Sequence, residues 1–251
     1  MSFRTACALA GACVLGTAQA SAEDACKLEP LGTVEVVAVR DGRTLLLRDG
    51  SELRLAGIET PASGQATLAA LAGRQTLTLK QLKADERDRY GRRVAFAFLP
   101  NSTQSLQVAL LEQGQARVSA RVGDKLCAEA LLASERAARA ANRGLWADPN
   151  FAPLPADHMA ELTAKKGHFA LVEGKVVSVR QSGSTIYVNF GRQWTQGFSV
   201  TIASRLGKAF AAAGVEPKKL EGRRVRVRGW VEQRNAPIID AAAPEQIELT
   251  D

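Results

Sequence analysis

The sequence predicts a mainly β chain with a few α-helices, folded as two five-stranded β-barrels in tandem. Two observations carry this. Short runs of alternating apolar and polar residues, separated by turn signals, occupy residues 33–99 and recur over 169–249. In each half the order is strands, an inserted helix, then further strands, as in a Greek-key barrel of the oligonucleotide-binding (OB) type. Between the halves, Pro149, Pro153 and Pro155 interrupt the chain.

In the first half, residues 33–40 form a strand, Asp41-Gly42 a turn, 43–48 a second strand, Asp49-Gly50 a turn and 52–57 a third strand. Asp-Gly between alternating apolar runs is a strong hairpin signal. Leu53 and Leu55 then face the core, which turns Glu52 and Arg54 to the other side. A short helix at 65–72 precedes strands at 75–80 and 93–99. Two helices follow: 105–113, apolar at Leu106, Ala109 and Leu110 and ended by Gly114, and the alanine-rich 126–142, ended by Gly144. In the second half, strands are expected at 169–179, 185–190, 198–202, 224–231 and 237–241. Residues 247–249 close the set, and 203–213 form its helix. The expected domains are a signal at 1–22, a first barrel at 23–148, a linker at 149–164 and a second barrel at 165–251.

Arg4, the apolar run over 5–20 and the small residues Ala18-Gln19-Ala20 or Ala20-Ser21-Ala22 read as a cleaved secretory signal. The run is too short to span a bilayer, so export to the periplasm or the medium is expected, with no membrane span after the signal. Cys7 and Cys13 would leave with it. Cys26 and Cys127 would remain as a disulfide pair in an oxidising compartment. Closing a loop of about 100 residues stabilises by up to ~4.7 kcal/mol on the chain-entropy model. Two isolated cysteines with His158 and His168 lack metal-ligand spacing. The formal net charge of +7 favours anionic partners, and the second half is the more basic.

Five motifs occur in order: Asp41-Gly42-Arg43-Thr44, Arg54-Leu55-Ala56-Gly57-Ile58-Glu59-Thr60-Pro61, Asp88-Arg89-Tyr90-Gly91-Arg92, the helix from Leu106 to Gly114, and Gly144-Leu145-Trp146. Over residues 33–148 the chain resembles the staphylococcal (thermonuclease-like) nuclease family. That resemblance implies that family's barrel and helices, and calcium-dependent hydrolysis of DNA and RNA phosphodiesters. Gly229-Trp230 through Pro237, with Pro244 to Glu248, resembles the extra OB-fold-like barrel that follows this nuclease domain in some bacterial proteins.

Phosphodiester hydrolysis needs a base for water, a cation and donors for the phosphoryl oxygens. Arg54 and Arg92 match the family's two catalytic arginines, whose planar forks suit phosphate. Tyr90 and Arg89, in the same loop as Arg92, are expected to contact substrate. Glu59 and the Thr60 carbonyl are the residues left to hold calcium, with Asp41 as a substitute or as a cap of its own turn. The family's further carboxylate ligand is replaced by Arg43. An arginine head about 4 Å from a divalent cation repels it by ~8 kcal/mol at an effective dielectric of 20, unless it swings outward. The family's glutamate base is replaced by Ala62, and Ala120 and Val122 stand where two tyrosines are expected.

In the second half, Arg224, Arg226 and Arg228 share one strand face and Val225 and Val227 the other. With Tyr187, Phe190, Trp194 and Trp230 nearby in sequence, this reads either as a groove for single strands or as a solvated basic face. Three functions are therefore in view. The first is binding of nucleic acid or another phosphoanion through the retained arginines, with hydrolysis weak or lost. The second is an active calcium-dependent nuclease whose metal site is rebuilt from Glu59, Asp41 and either Glu129 or Glu135. The third is an envelope module that binds other proteins. The first is expected, because the donors are kept while the base and one metal ligand are missing.

Overall fold

The computed structural model describes residues 25–83, 87–192 and 196–250. The expected signal segment and Trp194 lie outside the described residues.

The first half contains β1 (Glu29–Asp41), β2 (Thr44–Leu47), β3 (Glu52–Leu55), the short β4 (Ile58–Glu59), β5 (Thr76–Gln81), β6 (Arg93–Phe98) and the short β7 (Arg117–Val118). Strand β1 is long enough to pair twice. It meets β5 from Glu29 to Glu35 and β2 from Val36 to Asp41, with register shifts within both pairings, at Pro30/Gly32, Val36/Ala38 and Val39/Asp41. β2 pairs with β3, β3 runs parallel to β6, and β6 pairs with β5, which closes the barrel. The parallel pair requires a crossover, which helix α1 (Gly64–Ala72) and β5 supply. Leu53 and Leu55 are buried while Glu52 and Arg54 look the other way, as the alternation requires. Leu45, Leu47, Leu77, Leu79, Phe96 and Phe98 complete the core.

Helices α2 (Leu106–Glu112) and α3 (Lys125–Ala140) pack together against the barrel. Ser105 Oγ accepts the Val108 N–H, and Asp124 Oδ1 accepts the Cys127 N–H, so each helix starts on a side-chain cap. Gly114 follows α2 at φ +67°, and a Cβ there would lie 2.0 Å from the Arg143 carbonyl oxygen. Only glycine fits where the chain leaving α2 touches the chain leaving α3. The Cys26–Cys127 disulfide spans 101 residues and ties the start of β1 to the first turn of α3, as the cysteine count predicts.

The second half contains β8 (Leu154–Pro155), α4 (Met159–Ala164), β9 (Phe169–Lys175), β10 (Ser178–Ser182), β11 (Thr185–Asn189), β12 (Ser199–Ala203), α5 (Gly207–Ala212), β13 (Arg224–Gln233), β14 (Pro237–Asp240) and β15 (Ile247–Leu249). The strand expected at 169–179 is present as β9 and β10. Its break at Val176 and Val177 lets one half pair with β13 and the other with β11. β11 then pairs with β12, β12 runs parallel to β14, and β14 pairs with β13. Counting β9 and β10 as one strand, both halves follow the order first, second, third, fifth, fourth, with the parallel pair between third and fifth. The segment 149–164, expected as a linker, is more structured than that: β8 pairs with β9, and α4 buries Leu162 in the second core. Proline keeps an α-helix out of 149–155, where the chain makes one 3-10 turn at Pro149–Phe151, but has no hold on 159–164.

The two halves meet on the arginine face of β13, which corrects the expectation of a basic groove there. Arg224 is exposed, but Arg226 pairs with Glu173 and Arg228 is fully buried. Arg228 Nη1 donates to Glu135 Oε2 at 2.8 Å and to the Val118 carbonyl at 3.1 Å. Its Nη2 donates to Glu135 Oε1 at 3.0 Å and to Glu248 Oε1 at 2.5 Å. Glu135, on α3, also accepts the Val118 N–H and an Arg139 guanidinium. Strand alternation correctly groups the arginines, but it cannot reveal that a helix from the other half takes up Arg228. Ala138 and Trp146 pack on Phe169 and Leu171 beside this cluster.

Removing one partner of a buried ion pair leaves the other charge unpaired. Arg228→Ala should therefore lose about 3–5 kcal/mol in urea unfolding. Arg48→Ala, at the exposed Arg48–Glu35 pair, should lose less than about 1 kcal/mol. Burial pushes the Glu248 carboxyl up, but Arg228, with Arg139 and Arg226 behind it, holds it below its ordinary value of 4.5. A depressed carboxyl gives its full stabilisation above the unfolded value and loses it as pH falls through the folded one. Stability should thus decline below about pH 4.5, and Glu248→Gln should flatten that decline in pH-dependent denaturation.

Candidate functional site

Three short segments of the first half converge. The β1–β2 turn brings Arg43, β3 brings Arg54, and the loop before β6 brings Asp88, Arg89, Tyr90 and Arg92. Beneath them β4 pairs with β7, placing Glu59 opposite Arg117. Gly42 lets the turn lie on the Glu59–Pro61 segment, since a Cβ there would stand 2.5 Å from Thr60 Oγ1.

The loop is built around Asp88. Its Oδ1 accepts the N–H groups of Tyr90 and Arg92, and its Oδ2 accepts Arg92 Nε at 2.7 Å. Burial pushes the Asp88 carboxyl up, yet the Arg92 side chain and the two amides outweigh it and hold it below its ordinary value. Arg54 Nη1 lies 3.7 Å from Asp88 Oδ2, and its Nη2 lies 3.8 Å from Glu59 Oε1. Burial, reinforced by Arg43, pushes the Arg54 guanidinium down from its ordinary value. Tyr90 is 66% exposed, with the Arg89 and Arg92 guanidiniums 4.8 and 5.1 Å from its ring. The structure thus brings Arg54, Arg92, Glu59, Thr60, Tyr90 and Arg89 into one neighbourhood.

Arg43 neither faces an open metal site nor swings outward. Its Nη1 sits 2.5 Å from Glu59 Oε2 and donates to the Ile58 carbonyl at 2.8 Å. One carboxylate is therefore shared between two guanidiniums. Asp41 accepts the Arg43 N–H at 2.9 Å and caps the turn. Of the other acidic residues considered, Glu129 pairs with Lys125 on an exposed helix face, and Glu135 is held by Arg228 and Arg139. Among the described residues, no three of His, Cys, Asp or Glu gather to hold a metal ion. Calcium takes six to eight oxygens. The single Glu59 carboxylate, already bound to Arg43, together with the Thr60 segment does not fit it.

Two cavities open on this neighbourhood. One, of about 700 Å³, is lined by Arg54, Asp88, Arg89, Tyr90 and Arg121. The other, of about 320 Å³, is lined by Thr60, Ala62, Arg117, Lys165, His168 and Phe169. Arg43, Glu59 and Trp230 line both. Glu59 and Asp88 are the acidic residues on these walls, and each is held by arginine. Arg117 was not singled out in the sequence. Its place in the two-residue strand β7 leaves no period for a sequence reading to find. Arg117 Nη1 donates to the Phe169 carbonyl, which carries the second half up to this site. Arg224, Arg226 and Arg228 are not part of it.

The model of the family described as Staphylococcal nuclease homologue matches residues 52–148, the stretch that carries Arg54, Glu59, Asp88 and Arg92. A protein described as Micrococcal nuclease, from Shigella flexneri, is 34% identical over 133 aligned positions, covering 46% of this chain and 74% of that protein. With the barrel closed and the arginines of the motifs assembled, the chain belongs to the staphylococcal nuclease homologue family.

Proposed function

We propose that the protein is an exported binder of nucleic-acid phosphodiesters that keeps the arginines of a nuclease framework and has lost, or nearly lost, metal-dependent hydrolysis. The observation that carries this is the Arg43–Glu59 ion pair. It sets a permanent cation with planar donors beside Arg54 and Arg92, where a divalent ion would need the carboxylate free. A phosphate in the larger cavity would meet guanidiniums without waiting for a metal.

The base is the second gap. Ala62 offers no proton acceptor, Glu59 is held by Arg43, and the Asp88 carboxylate is occupied by the Arg92 side chain and two backbone amides. Loss of a general base typically costs 10²–10⁴ in rate. The nuclease named among the relatives supports phosphodiester as the ligand class. Export is supported by the Cys26–Cys127 disulfide, which persists in oxidising compartments. Among the described residues, no helix is long and apolar enough to cross a membrane.

Binding of a labelled oligonucleotide across a salt series tests the grip. Arg54→Ala should weaken it roughly 10- to 150-fold, the worth of hydrogen bonds to a charged group, and should make the salt slope shallower by about one. Digestion of plasmid and RNA with calcium, manganese or chelator tests the chemistry. No metal-stimulated cleavage is expected of the natural chain. The double variant Arg43→Asp with Ala62→Glu, which frees Glu59 and returns a base, should gain calcium-stimulated cleavage by roughly 10²-fold or more. Metal-stimulated cleavage by the natural chain that disappears in Arg54→Ala would overturn the proposal.

A further inference from the structure

We propose that the second barrel completes the site: Trp230 forms a base-stacking subsite that commits it to single-stranded nucleic acid. This rests on the phosphodiester-binding reading above and adds the substrate class.

Trp230 lies on β13 and lines both cavities, the smaller between the two halves and the larger walled mostly by the first, where they share Arg43 and Glu59. It is 47% exposed, an unusual state for the largest apolar side chain in a strand. It is also held in place. Its backbone is registered opposite Phe169 in the β-ladder, and its ring meets Phe169 edge-on at a centroid distance of 6.1 Å. Two residues earlier on the same face, Arg228 is locked into the first half through Glu135. A rigid, half-exposed indole is thereby set beside a guanidinium floor.

Charge complementarity names the occupant. The smaller cavity carries Arg43, Arg117 and Lys165 against Glu59, and the larger adds Arg54, Arg89 and Arg121 against Asp88, beside the exposed Tyr90. Arg117 is nearly buried, and its Nε has no hydrogen-bond partner. Two exposed aromatics flanking fixed cations are what a backbone with splayed bases requires. A paired duplex keeps its base faces stacked internally and has none to offer. Volumes of about 320 and 700 Å³ suit nucleotide-sized groups.

The test uses the full chain and fluorescence anisotropy with three labelled probes of equal length: a single-stranded oligonucleotide, the same strand made abasic, and a duplex. Natural protein should bind the base-bearing strand most tightly. Trp230→Ala should lose roughly 5- to 150-fold on that strand, the range for one stacked base, and little on the abasic strand. Trp230→Tyr, which keeps a stacking face, should recover most of the loss. Equal affinity of Trp230→Ala and natural protein for the base-bearing strand overturns the subsite while leaving phosphate binding intact. Equal losses on base-bearing and abasic strands also overturn it, because they make the indole a structural support. Failure of the natural protein to bind any probe at low salt overturns the phosphodiester reading itself.

Discussion

One buried guanidinium fixes the relation between the two barrels. Arg228 reaches out of the second barrel to both oxygens of Glu135 and the Val118 carbonyl in the first, while Glu248 of its own barrel accepts from the same guanidinium. A buried ion pair gains little over a well-packed apolar contact, but it tolerates only one geometry. Here that geometry sets the register of β13 against α3 and β7. β7 pairs with β4, which carries Glu59, and β13 continues from Arg228 to Trp230. The placement of both cavities follows from this one cluster.

The site itself is a problem in positive charge. Arg43, Arg54 and Arg92 share two carboxylates, Glu59 and Asp88, so the group keeps a net positive charge. Burial first, and then Arg43, push the neighbouring Arg54 guanidinium down from its ordinary value. An anion entering the larger cavity would relieve that excess of charge. A divalent cation would aggravate it, because the carboxylate it needs is already neutralised. The same replacement that removes a metal ligand therefore strengthens an anion seat.

Much of this was legible in the chain. Asp-Gly turns and the alternation of Leu53 and Leu55 give β2, β3 and the outward direction of Arg54, because hairpin chemistry and pleat are local rules. Counting cysteines after the apolar run pairs Cys26 with Cys127. What escaped was set by contacts distant in sequence. Period-two alternation groups Arg226 with Arg228 but says nothing of Glu135, which lies 93 residues from Arg228. Arg43 could be read as missing a ligand's role, not as the partner of Glu59, since side-chain direction at a turn tip depends on what packs beneath it. The short α4 was hidden by the prolines before it.

The central claim, an anion grip that needs no metal, is tested most directly by titration calorimetry of a single-stranded oligonucleotide into the full chain. The titration would be run first with excess chelator and then with excess calcium at matched ionic strength. A metal-free grip gives the same Kd in both, to within about twofold, roughly 0.4 kcal/mol. A Kd at least tenfold tighter with calcium, or binding seen only when calcium is present, would contradict it.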